Sequence, residues 1–112
     1  MPIEIRYLVF TSTEAARALI AQAARLDRKL PEGMPGDAEL IGEENPVGRL
    51  YILDNDGPPS IASFKPEEVL EALIQATIAA KIPLPRNADK AVERIQGRFA
   101  LRIGKRLEQE ED

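Results

Sequence analysis

The stretch KAVERIQGRFALRIGKR, residues 90–106, decides the fold. As two strands joined by a tight turn at Gln96-Gly97, it pairs Val92 with Leu101 and Arg94 with Phe99. Phe99, Leu101 and Ile103 then share one core-facing side. The alternative is a short helix capped by Asn87 and stopped by Gly97. The hairpin is the reading carried forward. Immediately upstream, KIPLPR holds Pro83 and Pro85, and a residue before proline avoids the α region. This segment is expected to run extended across the sheet edge as a rigid strap, with Arg86 pointing outward.

Further outward, KPEEVLEALIQATIAAK, residues 65–81, has the signature of a helix: Pro66 near the first position, Glu67 and Glu68 in the first turn, and Lys81 at the far end. Val69, Leu70, Leu73, Ile74, Thr77 and Ala80 give it a broad apolar face, so it should be the more buried of two helices. Residues 49–53 and 60–64 are strand-like runs separated by DNDGPP, a hairpin with a long turn. Residues 31–46 carry Glu32, Asp37, Glu39, Glu43 and Glu44 with no basic residue, which suggests an acidic loop containing a short strand at 38–41. The first helix should start at the capping box Thr11/Glu14. Its face of Ala15, Leu19, Ala23, Leu26 and Leu30 predicts about five turns, ended by Pro31 and Gly33. Before it, Ile3, Ile5, Tyr7 and Val9 alternate with Glu4, Arg6, Leu8 and Phe10 as in a strand.

The expected architecture is therefore α+β in two layers. A mixed or largely antiparallel sheet of four to six strands carries both helices on one face, in the order β-α-ββ-α-ββ. Residues 1–107 form one domain, and the acidic tail at 108–112 is expected to be disordered.

With 112 residues, 44% hydrophobic and 30% charged, the chain can support a single core without staples. It has no Cys and no His, which removes thiolate chemistry, disulfides, the commonest general base and the commonest zinc ligand. The start MPIEIRYLVF lacks the basic-then-apolar order of a signal peptide, and no stretch is apolar enough to span a bilayer, so a cytoplasmic protein is expected.

One motif looks like chemistry. LYILDNDG, residues 50–57, resembles the first motif of the haloacid dehalogenase superfamily, in which a strand delivers an Asp nucleophile followed two residues later by an Asp acid/base and then Gly. The resemblance implies that Asp54 attacks a phosphoryl group and Asp56 protonates the leaving oxygen, with magnesium neutralising the charge. The chain departs from that family at Pro58, and outside the tail no acidic pair follows the motif on a later strand, since Glu67 and Glu68 open a helix. As a calcium loop the segment would place Ile52 and Ser63 where carboxylates belong. Asp, Asn, Gly and Pro in a row are turn formers, and a turn is the expected role. No phosphate-binding glycine loop or Gly-x-Ser-x-Gly elbow is present, so no catalytic, cofactor or metal residue is assigned.

The other feature is electrostatic. Residues 86–106 hold seven basic residues, Arg86, Lys90, Arg94, Arg98, Arg102, Lys105 and Arg106, against two acidic ones, a net charge of +5 in a chain of net −4. Arg98 and Arg102 should project from the face opposite Phe99 and Leu101. The stripe is a candidate partner-binding surface for an acidic protein, for nucleic acid, or for the acidic segment of a second copy. Its plain role is a charged sheet edge kept from pairing. No aromatics interleave with it as single-strand readers require.

The run from FKPEEVLEALI through KIPLPRNADKAVERIQGRFAL resembles a pattern in small uncharacterised bacterial proteins, a helix followed by Ile-Pro-Leu-Pro-Arg, then Ala and Lys, then Gly-Arg-x-Ala-Leu. The resemblance implies a bacterial cytoplasmic domain and brings no activity, cofactor or functional residue with it. The expected function is a small non-catalytic interaction or adaptor module binding a protein or itself. Nucleic-acid association through the basic stripe is the alternative, and magnesium-dependent phosphoryl transfer at Asp54 and Asp56 comes third. Neither a membrane nor a small-molecule ligand is inferred.

Overall fold

The computed structural model describes residues 2–106. The elements are β1 (Ile3–Val9), α1 (Ser12–Arg25), β2 (Met34–Ile41), β3 (Val47–Leu53), β4 (Ser60–Phe64), α2 (Pro66–Ala79), β5 (Asp89–Ile95) and β6 (Arg98–Arg106). The expected order β-α-ββ-α-ββ is the order observed, and all pairing is antiparallel. The tail expected at 108–112 lies outside the described residues, and among those described no helix is long and apolar enough to cross a membrane.

The six strands form two three-stranded sheets, β1-β6-β5 and β2-β3-β4, where one sheet was expected. At the junction, the Arg94 guanidinium on β5 donates to the carbonyls of Leu40 (3.0 Å) and Gly42 (2.7 Å) at the end of β2, so a side chain rather than a backbone ladder links the two sheets there. Both helices lie over the inner faces of the two sheets. One core joins them, with Leu19 and Ala23 from α1, Val69 and Leu73 from α2, Leu50 and Phe64 from the second sheet, and Phe99 and Leu101 from the first.

α1 begins at the expected capping box. Thr11 Oγ1 accepts from the Glu14 N–H, and Glu14 Oε1 accepts from the Thr11 N–H. It ends at Arg25, about a turn short of the five-turn expectation. Asp27 turns left-handed (φ 57°), and the N–H groups of Asp27 and Arg28 close back onto the carbonyls of Ala24 and Ala23. This is a Schellman ending made without glycine. α2 ends the same way at Lys81 (φ 63°), with Lys81 and Ile82 bonded to Ile78 and Thr77. The early stop leaves Leu26 exposed and frees Arg28 to cross the molecule. Its guanidinium meets the Glu68 carboxylate at 2.7 Å, donates to the Ser63 carbonyl and lies 5.1 Å from the centre of the Phe64 ring. Burial would raise the Glu68 pKa, but the Lys65 N–H and Arg28 outweigh it and hold the carboxyl below its ordinary value.

One further expectation is corrected. The acidic segment is not mainly loop: Met34–Ile41 is a full strand on β3, with a bulge between Pro35 and Ala38. Ala38 and Leu40 face inward and Glu39 outward, so its acidic residues sit on solvent while alternate positions pack. The two helices divide their burial differently: α1 has more fully buried residues but leaves seven of its 14 exposed, whereas α2 leaves only four of its 14 exposed. α1 buries Ala15, Ala16, Ala18, Leu19, Gln22 and Ala23, and α2 buries Val69, Ala72, Leu73 and Thr77.

Candidate interaction surface

The hairpin formed by β5 and β6 matches the sequence reading, with Val92 opposite Leu101 and Arg94 opposite Phe99. Gln96 (φ 52°) and Gly97 (φ 77°) both sit left-handed, as the two-residue turn of a twisted hairpin demands. Phe99, Leu101 and Ile103 are buried, so paired residues Arg94, Val92 and Lys90 share their inward side. Arg98 and Arg102 take the outer face, as expected.

The basic residues whose side chains are described therefore do not converge. Lys90 donates to the carbonyls of Pro85 and Ala88, fastening the strap, and Arg94 ties β5 to β2. Arg102 Nε stands 3.1 Å from Glu93 Oε2 across the outer face. Lys105 lines a small recess with Glu4, Arg6 and Pro85 on the inner side. Arg86 is exposed in the strap, and the Arg106 side chain lies outside the described residues. Basic hairpin and acidic segment do meet, but within one chain, at Arg94.

What sequence reasoning missed is the face presented by β1. The Phe10 N–H donates to the Phe99 carbonyl at 2.8 Å, and from there Leu8 pairs with Leu101, Arg6 with Ile103 and Glu4 with Lys105. Leu8 and Phe10 pack against the core, so Ile3, Ile5, Tyr7 and Val9 stand on the outer face, 61, 50, 44 and 45% exposed. Beside this apolar stripe β6 presents Gly104 and Arg102, with Ala100 covered, and β5 presents Asp89, Ala91 and Glu93. The outer face thus grades from apolar at β1 to charged at β5. The signal lay in the alternation of residues 3–9. Because both phases of that strand end in apolar residues, local pattern left open which one the core takes.

β1 is also an edge. Among the described residues no strand pairs with its far side. Antiparallel ladders alternate in direction, so the residues whose side chains form the stripe also turn their N–H and C=O groups away from β6. Along this edge runs an open groove of about 600 Å³, lined by Leu8, Phe10, Ala18, Ala21, Ala76 and Ala80.

At the other end of the molecule, Asp54, Asn55, Asp56 and Gly57 are exposed, and the Asp56 N–H donates to Asp54 Oδ1 at 3.2 Å. That bond is an Asx-type turn, the structural use expected of them. Among the described residues no three carboxylates cluster as a metal site would require. No family model matches the chain, and no curated protein or solved structure matches it either.

Proposed function

We propose that the protein is a non-catalytic protein–protein interaction module that docks through the outer face and free edge of β1. The observation that carries this reading is the coincidence of two features on one strand. A continuous apolar stripe, Ile3, Ile5, Tyr7 and Val9, is left on solvent, and the same residues leave their backbone donors and acceptors unpaired. Soluble domains usually blunt an edge with charge, bulges or cover, and an edge that is both apolar and regular is where proteins add strands. Arg102 and Glu93 form a polar border to the stripe, as the rim of an interface does.

A photo-crosslinking residue at Tyr7, expressed in cells, tests the reading. The expected result is a discrete protein adduct that disappears with Ile5→Asp and is not formed from a control position at Arg49 on the second sheet. Adducts indifferent to Ile5→Asp, or none, overturn it. A backbone amide titration with mixed-sequence RNA and DNA separates the nucleic-acid alternative. The module predicts no shifts along residues 86–106, whereas salt-sensitive shifts confined there would favour nucleic acid.

A further inference from the structure

Building on that reading, we infer that the occupant of the β1 edge is β1 of a second copy, paired antiparallel about a two-fold axis through Ile5. In this arrangement the two first sheets fuse into one six-stranded sheet. The argument rests on register. The outward-turned backbone groups belong to residues 3, 5, 7 and 9, so two copies can pair only with odd positions opposite odd positions. Centred on Ile5, the pairing sets Ile5 against Ile5, Ile3 against Tyr7 and Tyr7 against Ile3, each as a hydrogen-bonded pair. Six exposed apolar side chains then form one cluster on the outer face.

The intervening positions decide between registers. Glu4 falls opposite Arg6 of the second copy, and Arg6 opposite its Glu4, in the non-hydrogen-bonded positions where side chains come closest. Shifting the axis by one residue either way centres it on Glu4 or on Arg6, and puts like charges face to face. The sequence IEIRY is thus self-complementary in both shape and charge for one two-fold arrangement, as an isologous interface must be. Glu4 and Arg6 are both exposed in the single chain. Arg6 spends one donor on the Pro83 carbonyl at 3.2 Å, leaving the rest of its guanidinium available.

The test is sedimentation of purified protein over a wide dilution series. The wild type is expected to show a monomer–dimer equilibrium. Glu4→Arg alone, which sets four arginines face to face, is expected to lose the dimer, as is Arg6→Glu alone, which sets four glutamates together. An equimolar mixture of the two variants restores opposite charges at every pair, so it should regain a dimer containing one of each. That rescue also shows that both variants are folded. Exchange of the Ile5 and Tyr7 amide hydrogens is expected to slow as wild-type concentration rises, while the already bonded Leu8 amide stays unchanged. A wild type that stays monomeric, single variants that still dimerise, or a mixture that fails to pair would each overturn the self-pairing. A monomer that nevertheless yields Ile5-dependent adducts from Tyr7 in cells, none of them containing a second copy, sinks the dimer and leaves the interaction module standing.

Discussion

Gly48 on β3 lies close against α2: a Cβ placed there would lie 2.7 Å from Val69 Cγ2. Gly48→Ala is expected to destabilise the protein by about 1–3 kcal/mol through overpacking, and Val69→Ala in the same chain should recover part of that loss, a coupling that urea denaturation of the two single variants and the double variant would reveal. Glu68 offers a pH signature. Because its folded pKa lies below the ordinary value of 4.5, its pairing with Arg28 and the Lys65 N–H stabilises the fold above that value and is lost as pH falls through the folded pKa. Wild-type stability should therefore drop more steeply below about pH 4.5 than that of Glu68→Gln, measured by denaturant midpoints at each pH. Residue-level roles of this kind were only partly legible. Glu14 announced its cap from its spacing to Thr11, but Arg28, three residues past the end of α1, gave no hint that it would reach Ser63, Phe64 and Glu68. Local spacing encodes contacts made within a turn or two, and these partners lie 35 to 40 positions away.

The elements that could be read were those whose boundaries carry special residues. Gln96-Gly97 fixes the hairpin register, and Pro66 with Glu68 fixes the start of α2. The end of α1 was not legible because its Schellman turn uses Asp27, while apolar spacing continued through Leu26 and Leu30 as if the helix did. Non-glycine residues hold the left-handed conformation at a cost of roughly 1 kcal/mol, which glycine avoids. Lys81→Gly at the end of α2 is expected to raise stability by a few tenths to about 1 kcal/mol, read as a higher urea midpoint with an unchanged slope. Gly97→Ala runs the opposite way: at φ 77° it is expected to lower stability by about 1 kcal/mol and to broaden the resonances of the hairpin.

For the molecule as a whole, the class and order of elements followed from alternating strand and helix periods, but the division into two sheets did not. Where the two sheets meet, Arg94 reaches Leu40 and Gly42, a contact between segments more than 50 positions apart. Arg94→Met keeps the length of the side chain and removes its donors. It is expected to cost about 1 kcal/mol and to speed amide exchange at the end of β2 and in β5, with β3 and β4 left protected. The candidate surface was half legible for a related reason. The basic residues were visible in sequence, yet their split between inner ties and outer face is set by register, and the apolar side of β1 is set by which phase the helices cover.

The pairing of Ile3 with Arg106 joins one of the earliest described residues to the last. Seen in time, the chain leaves the ribosome with β1 and no β6 to receive it. The second sheet is complete once residue 64 has emerged, whereas the first must wait for residues 98–106. At ordinary rates of synthesis that wait is on the order of ten seconds. Throughout it, the apolar positions of β1 have no sheet to join, so the strand that stays an edge in the native fold is also the one that waits longest for its partner.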